Sequence, residues 1–286
     1  MEAWKNWEAN PAKKFGEKFL VLKNILFFSF VFLVLGQVAV YLQEFAPAQA
    51  KVQSYPLQQQ PPYTVALDAG HGGYDTGANC GNIQEVKIIE KTVDELFLLL
   101  QNNPAFRPIR TRENGEGSSI SKRAEKATQE KASLLLSVHM NFDPSTAQSH
   151  GFECFPIPPG RTWSDQSMNF AKAVAQQMGL KGHRLRGSNG IRFAYYSGNK
   201  KLIVDAEDTK QRTLKSFGIL EKVECPAVLV EQCFISNSED RKNWTTEEGC
   251  KNAAQAYYYA ICEYFAIDPN QKPEPPKPPV FEFWKK

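Results

Sequence analysis

Histidine is scarce in this chain, with four residues in 286, so any metal chemistry that needs imidazole has few side chains to draw on. Excess charge is also nearly absent. A net charge of +3 gives no cationic surface of the kind that binds nucleic acid, and no nucleic-acid partner is expected. No internal repeat is seen, and the composition (42% hydrophobic, 23% charged) is that of an ordinary globular protein. Six cysteines allow disulfides outside the cytoplasm but do not choose a pairing; Cys250 and Cys262, on one expected helix, cannot pair with each other.

Charge is missing altogether from "ILFFSFVFLVLGQVAVYL", residues 25–42. At about 1.5 Å per residue this run reaches roughly 27 Å, enough to span a bilayer. Lys5, Lys13, Lys14, Lys18 and Lys23 precede it, which keeps residues 1–24 cytoplasmic and sends the rest across the inner membrane. The segment is expected to be a transmembrane anchor, or else a signal cleaved after "AQA" at 48–50, which would leave a mature form starting at Lys51. Residues 43–62 are rich in Gln, Pro and Ala and read as a flexible linker. Residues 268–286 read as a Pro/Lys-rich disordered tail.

Between these flanks, residues 63–267 form one expected domain. Strand-length apolar runs at 64–67, 107–111, 133–138, 151–157, 217–223 and 227–234 alternate with helical patterns at 85–101, 119–131, 165–178 and 248–265. Such alternation implies an α/β fold with a mostly parallel central sheet flanked by helices. The charged stretch 195–216 reads as a solvated hairpin or helix, with a lid over the site as the other reading.

Polar residues gather where three strands stop. "TVAL" runs into Asp68 and His71, "LLLSV" into His139 and Asn141, and "AVLV" into Glu231. In open α/β sheets ligands bind outside the carboxyl ends of strands, so these ends are expected to meet. Glu85 joins them from the helix, since it precedes Ile89, Val93, Leu96 and Leu100 on the apolar stripe, whereas Glu90 is expected to face solvent. A buried carboxylate calls for a cation. His71, Glu85 and His139 suit Zn²⁺, which in catalytic sites takes three N/O ligands and keeps one position open. His150 and His183 follow no strand end of this kind. Glu231 is then free to act as general base. Gly70, Gly72 and Gly73 allow a tight path around His71, and Asp68 and Asp75 are candidates for fixing the loop. Ser137 lies two residues before His139 on the same strand face, as an ordinary strand residue would, so no Ser/His/Asp arrangement competes.

The motifs "LDAGHGGYDTGA", "GNIQEVKIIEKTVDEL", "TRENGEGSSISKRAEKA", "LLLSVHMN", "RLRG" and "PAVLVEQCFISNSED" occur in the order and spacing of the zinc-dependent N-acetylmuramoyl-L-alanine amidases of bacterial cell-wall turnover, and the chain resembles that family over roughly residues 63 to 266. The resemblance implies a single α/β catalytic domain, Zn²⁺ held by His71, Glu85 and His139, and Glu231 as the catalytic glutamate. It also implies peptidoglycan as substrate, cleavage of the amide between N-acetylmuramic acid and L-alanine, and room for a protein activator. Arg184, Arg186 and Asn141 are candidates for binding the substrate. The chain departs from the family's usual pattern at Gln232 and Cys233, which follow Glu231, and at Ile89-Glu90. A catalytically silent peptidoglycan-binding module and a zinc hydrolase of another amide are the competing readings.

Overall fold

The computed structural model describes residues 60–272. The expected membrane or signal segment 25–42 and most of the proposed linker and tail lie outside the described residues. Among the described residues no helix is long and apolar enough to cross a membrane.

A five-stranded sheet in the order β4-β1-β5-β9-β6 forms the centre. Its strands are β1 (Tyr63–Ala69), β4 (Phe106–Arg110), β5 (Leu134–Asn141), β6 (Glu153–Pro156) and β9 (Ala227–Phe234). The first four in spatial order pair in parallel, and β6 closes one edge antiparallel to β9. The small pair β2 (Asn79–Cys80) and β3 (Ile83–Gln84) leads into α1 (Glu85–Gln101), and β7 (Arg192–Ser197) and β8 (Lys200–Asp205) form a separate hairpin. The remaining helices are α2 (Ile120–Gln129), α3 (Ser164–Leu180), α4 (Gly218–Lys222), α5 (Ser238–Trp244) and α6 (Glu247–Phe265). The mostly parallel sheet expected from the alternating runs is therefore present.

Each face of the sheet has its own core. Val65, Leu67, Leu134, Leu136, Val138, Val228 and Val230 pack with the apolar stripes of α1, α3 and α6. Ala66, Leu135, Phe155, Ala227 and Leu229 face the other way, against residues of α2, α4 and the hairpin. The helices begin where side chains cap them: Ser119 accepts from the Lys122 N–H of α2, Asn237 from Glu239 and Asp240 of α5, and Thr246 from Gly249 of α6.

Two local expectations are corrected. The run 217–223 is not a strand but carries the short helix α4. Its buried residues are Ile219, Leu220 and Val223, with Glu221 and Lys222 exposed, and that spacing follows a helical turn rather than alternation. Residues 195–216 carry most of a hairpin, as expected, and within that stretch only Tyr195 and Ser216 are buried, so it is largely solvated. Glu90, expected at the surface, is buried and ion-paired with Arg112 at 2.8 Å. At the far end, Asp268 and Pro269 accept hydrogen bonds from Asn103 and Tyr258, so the first tail residues are tied to the domain. All six cysteines are free, and all but Cys80 are buried.

Candidate metal centre and active site

The polar ends of β1, β5 and β9 continue the strand face that carries Ala66, Leu135 and Leu229. Alternation places Asp68, His139 and Glu231 on that same face at the carboxyl edge of the sheet. Glu85 reaches this edge from the first turn of α1, where an acid also complements the helix dipole.

His71, Glu85 and His139 come together. His71 Nε2 lies 3.0 Å from Glu85 Oε1, and His139 Nδ1 lies 3.2 Å from both. A tetrahedral ion with ligands at 2.0–2.1 Å has donor-to-donor edges of about 3.3–3.4 Å, so the triangle matches the face of a zinc site. Two glycines make the room. A Cβ on Gly70 would stand 2.1 Å from the His139 ring, and one on Gly77 would stand 2.6 Å from Glu85 Oε2. The residues present therefore fit a metal.

The donors are fixed from behind. Glu85 accepts the backbone N–H groups of Ala78 and Met140, both at 2.8 Å. Asp75 Oδ2 sits 2.9 Å from His71 Nδ1, which puts the proton on Nδ1 and leaves the Nε2 lone pair facing the triangle. Burial opposes a charge on His71, but Glu85 and Asp75 outweigh it and push its pKa up to about 9. Burial likewise opposes the Glu85 carboxylate, and His139 and His71 hold it well below the usual carboxylate range all the same. The pocket attracts a cation, and a proton and a metal compete for it.

His71 has φ of +57°, a left-handed conformation uncommon for a residue with a side chain. Two buried arginines hold the loop there. Arg112 donates to the carbonyls of Ala69 (2.9 Å) and Gly70 (2.7 Å), and Arg123 donates to those of Ala69 (2.7 Å) and His71. Each arginine has its own buried acid, Glu90 for Arg112 and Asp68 for Arg123. Asp68 also accepts from Thr111 (2.5 Å) and Ser137 (2.6 Å). Burial alone would push the Asp68 pKa up, and Arg123 with these hydroxyls lowers it instead. Of the two candidate loop-fixing acids, then, Asp75 touches His71 directly, while Asp68 acts through Arg123.

Glu231 differs from all of these. It lies abreast of His139 in the sheet and is 7% exposed, and its Oε2 has no hydrogen-bond partner in the protein. Burial pushes its pKa up to about 7, against the pull of His139 and Lys201. A carboxyl poised near neutrality can both take and return a proton. Gln232 and Cys233, the departures in sequence, are fully buried; the Gln232 amide donates to the Trp244 carbonyl.

Of the candidate substrate residues, Asn141 and Arg186 meet at Glu153, whereas Arg184 turns to the His150 ring. Arg192 also reaches Glu153. Neither Glu153 nor Arg192 is visible as a site residue in sequence; the available signal is a lone acid inside the apolar strand "FECFPI". His183, buried and stacked on Trp244 at 4.0 Å, takes no part in the site.

The comparison with known proteins agrees with this geometry. The family described as N-acetylmuramoyl-L-alanine amidase matches residues 65–263. The probable N-acetylmuramoyl-L-alanine amidase AmiB of Haemophilus influenzae is 26% identical over 228 residues, which cover 71% of this chain and 52% of that protein; the chain thus spans about half the length of this relative. Among solved structures, the catalytic domain of CwlV from Bacillus (Paenibacillus) polymyxa var. colistinus superposes with a TM-score of 0.58 at 24% identity, covering 72% of this chain and 99% of that one. The CwlD amidase from Clostridioides difficile, in complex with the GerS lipoprotein, gives a TM-score of 0.56 at 22% identity, with 72% and 100% covered. With a match across the whole sheet and all three of its polar strand ends, the chain belongs to the N-acetylmuramoyl-L-alanine amidase family.

Proposed function

We propose that this protein is a zinc-dependent peptidoglycan hydrolase that cleaves the amide between N-acetylmuramic acid and L-alanine of the stem peptide. One observation carries the reading: a buried carboxyl with an unpartnered oxygen, Glu231, stands beside a three-donor metal triangle. His71 Nε2, Glu85 Oε1 and His139 Nδ1 would hold the ion. Zinc bound there supplies Lewis acidity toward a carbonyl oxygen and acidifies water. Glu231 takes the proton of the attacking water on its unpartnered Oε2 and delivers it to the departing L-alanine nitrogen. Asp75, Arg112 and Arg123 keep the His71 loop in place through this cycle. A silent binding module has no use for a buried carboxyl whose oxygen is left without a partner beside such a triangle.

The expected N-terminal segment would anchor the enzyme in the inner membrane with the domain on the outer side, or direct its export. The complex of the relative CwlD with a lipoprotein supports an accessory protein as a further partner. Digestion of purified sacculi tests the reaction. New L-alanine amines with intact N-acetylmuramic acid are expected, and termini at any other bond would refute the assignment.

A further inference from the structure

Glu153 lies on the edge strand β6, and its side chain is 2% exposed. It is in register with Glu231 on β9, so two acids stand side by side on the site's face of the sheet. Alone, a carboxylate so placed is costly to bury and repels its neighbour. Three donors offset this. Asn141 Nδ2 reaches Oε2 at 2.5 Å, and Arg186 Nε (2.9 Å) and Arg192 Nη1 (2.5 Å) share Oε1. They come from the end of β5, from the irregular chain hydrogen-bonded beside β6, and from the first residue of β7.

One guanidinium would suffice to neutralise one carboxylate, yet two are present. Arg186 also donates to the His150 carbonyl at 3.1 Å and lies 4.6 Å from the Phe234 ring centre. Arg192 uses Nε on Asp205, a carboxylate that is half exposed and therefore screened. The Nη2 corners of both lie outside this network, and the side chains keep 24% and 23% of their surface open. Rigid guanidiniums with unspent donors recognise carboxylates in the forked geometry that lysine cannot supply.

We infer that Glu153 is a positioning residue that holds Arg186 and Arg192 as a preformed pair, and that this pair binds a carboxylate of the substrate's peptide beside Glu231. The inference rests on the amidase reading for the identity of the peptide, though not for the chemistry of the pair. Asn141 ties the same network to the strand that carries His139. The scissile amide is thereby placed relative to an acidic group elsewhere in the peptide, and acidic stem peptides are favoured over amidated ones.

The test uses the full-length, zinc-loaded protein and two soluble muramoyl peptides that differ only in whether the peptide carboxylates are free or amidated. A charged hydrogen-bonded pair should favour the free acid by roughly 10-fold or more in kcat/KM. Glu153→Gln and Arg192→Gln should each bring that ratio close to one, chiefly through KM for the acidic peptide. Should Glu153→Gln fail to fold, Arg192→Gln and Arg192→Lys carry the same expectation at a partly exposed position. Titrating both peptides into the Glu231→Gln protein reads the preference without turnover, so it stands or falls apart from the bond that is cut. No preference in the wild type, or equal loss on both peptides in the variants, would overturn the inference.

Discussion

On the β1 side of the cleft the backbone carbonyls from Ala69 to His71 are all held by buried guanidiniums, and each guanidinium has its own buried acid. On the β9 side Glu231 keeps an oxygen with no partner, in a strand whose eight residues are all buried. The contrast fits the two tasks proposed for these residues. Donors to a metal must hold their positions, which many hydrogen bonds to the side chains and to the backbone of their loop achieve. A base must change its protonation in every cycle, and each hydrogen bond to its charged form would pull its pKa away from neutrality.

The sharpest way to break the comparison is Glu231→Gln, which keeps the volume and removes the proton acceptor. Turnover on sacculi should fall by 10²–10⁴-fold with zinc content retained, read by product analysis and metal analysis on one preparation. Loss of zinc would make Glu231 a ligand and erase the division between the two sides.

Arg123→Met attacks the other half. It strands Asp68 as a buried charge, removes one of the two donors to the Ala69 carbonyl and frees that of His71. A cost of about 3–5 kcal/mol in unfolding free energy is expected, measurable by urea denaturation. A variant as stable as wild type would show that the β1 loop does not depend on its straps.

A milder probe concerns the uncharged packing behind Glu231. Burial lowers the His183 pKa to about 4 in the folded protein, although Asp240 opposes the shift. The unfolded chain binds this proton near pH 6.5, so stability is complete above that value and falls as pH drops from about 6.5 towards 4. The loss should reach at most about 3 kcal/mol. Wild type should therefore lose more stability than His183→Gln between pH 7 and pH 5; identical pH dependence in the two would refute the role of His183.

The smallest effect is expected at Asp75→Asn, where the exposed partner of His71 Nδ1 loses its charge. Zinc affinity should drop by about 10–100-fold, read by competition with a chelator, while the fold stays intact. An unchanged affinity would limit the fixing of His71 to its backbone.

The strand ends and the first turn of α1 were legible because each rests on local pattern. Apolar runs end at Asp68, His139 and Glu231, and the helical phase of Ile89, Val93 and Leu96 points Glu85 inward. Glu90, Glu153 and Arg192 were not legible, since their positions depend on partners across the fold. Arg112 lies 22 residues from Glu90, and Arg192 lies 39 from Glu153. No local periodicity reports such pairing. The helix at 218–222 was missed for a related reason, since a short apolar run has the same appearance in a strand and in one helical turn.

The donor triangle joins residues 54 and 68 positions apart, and Glu231 sits on a strand that follows all of them in the chain. Parallel pairings over such separations form slowly, because long loops must close before any contact repays them. On the proposed function, a polypeptide interrupted before β9 would lack both Glu231 and the strand that joins β5 to β6, and so would have no means of hydrolysing the amide.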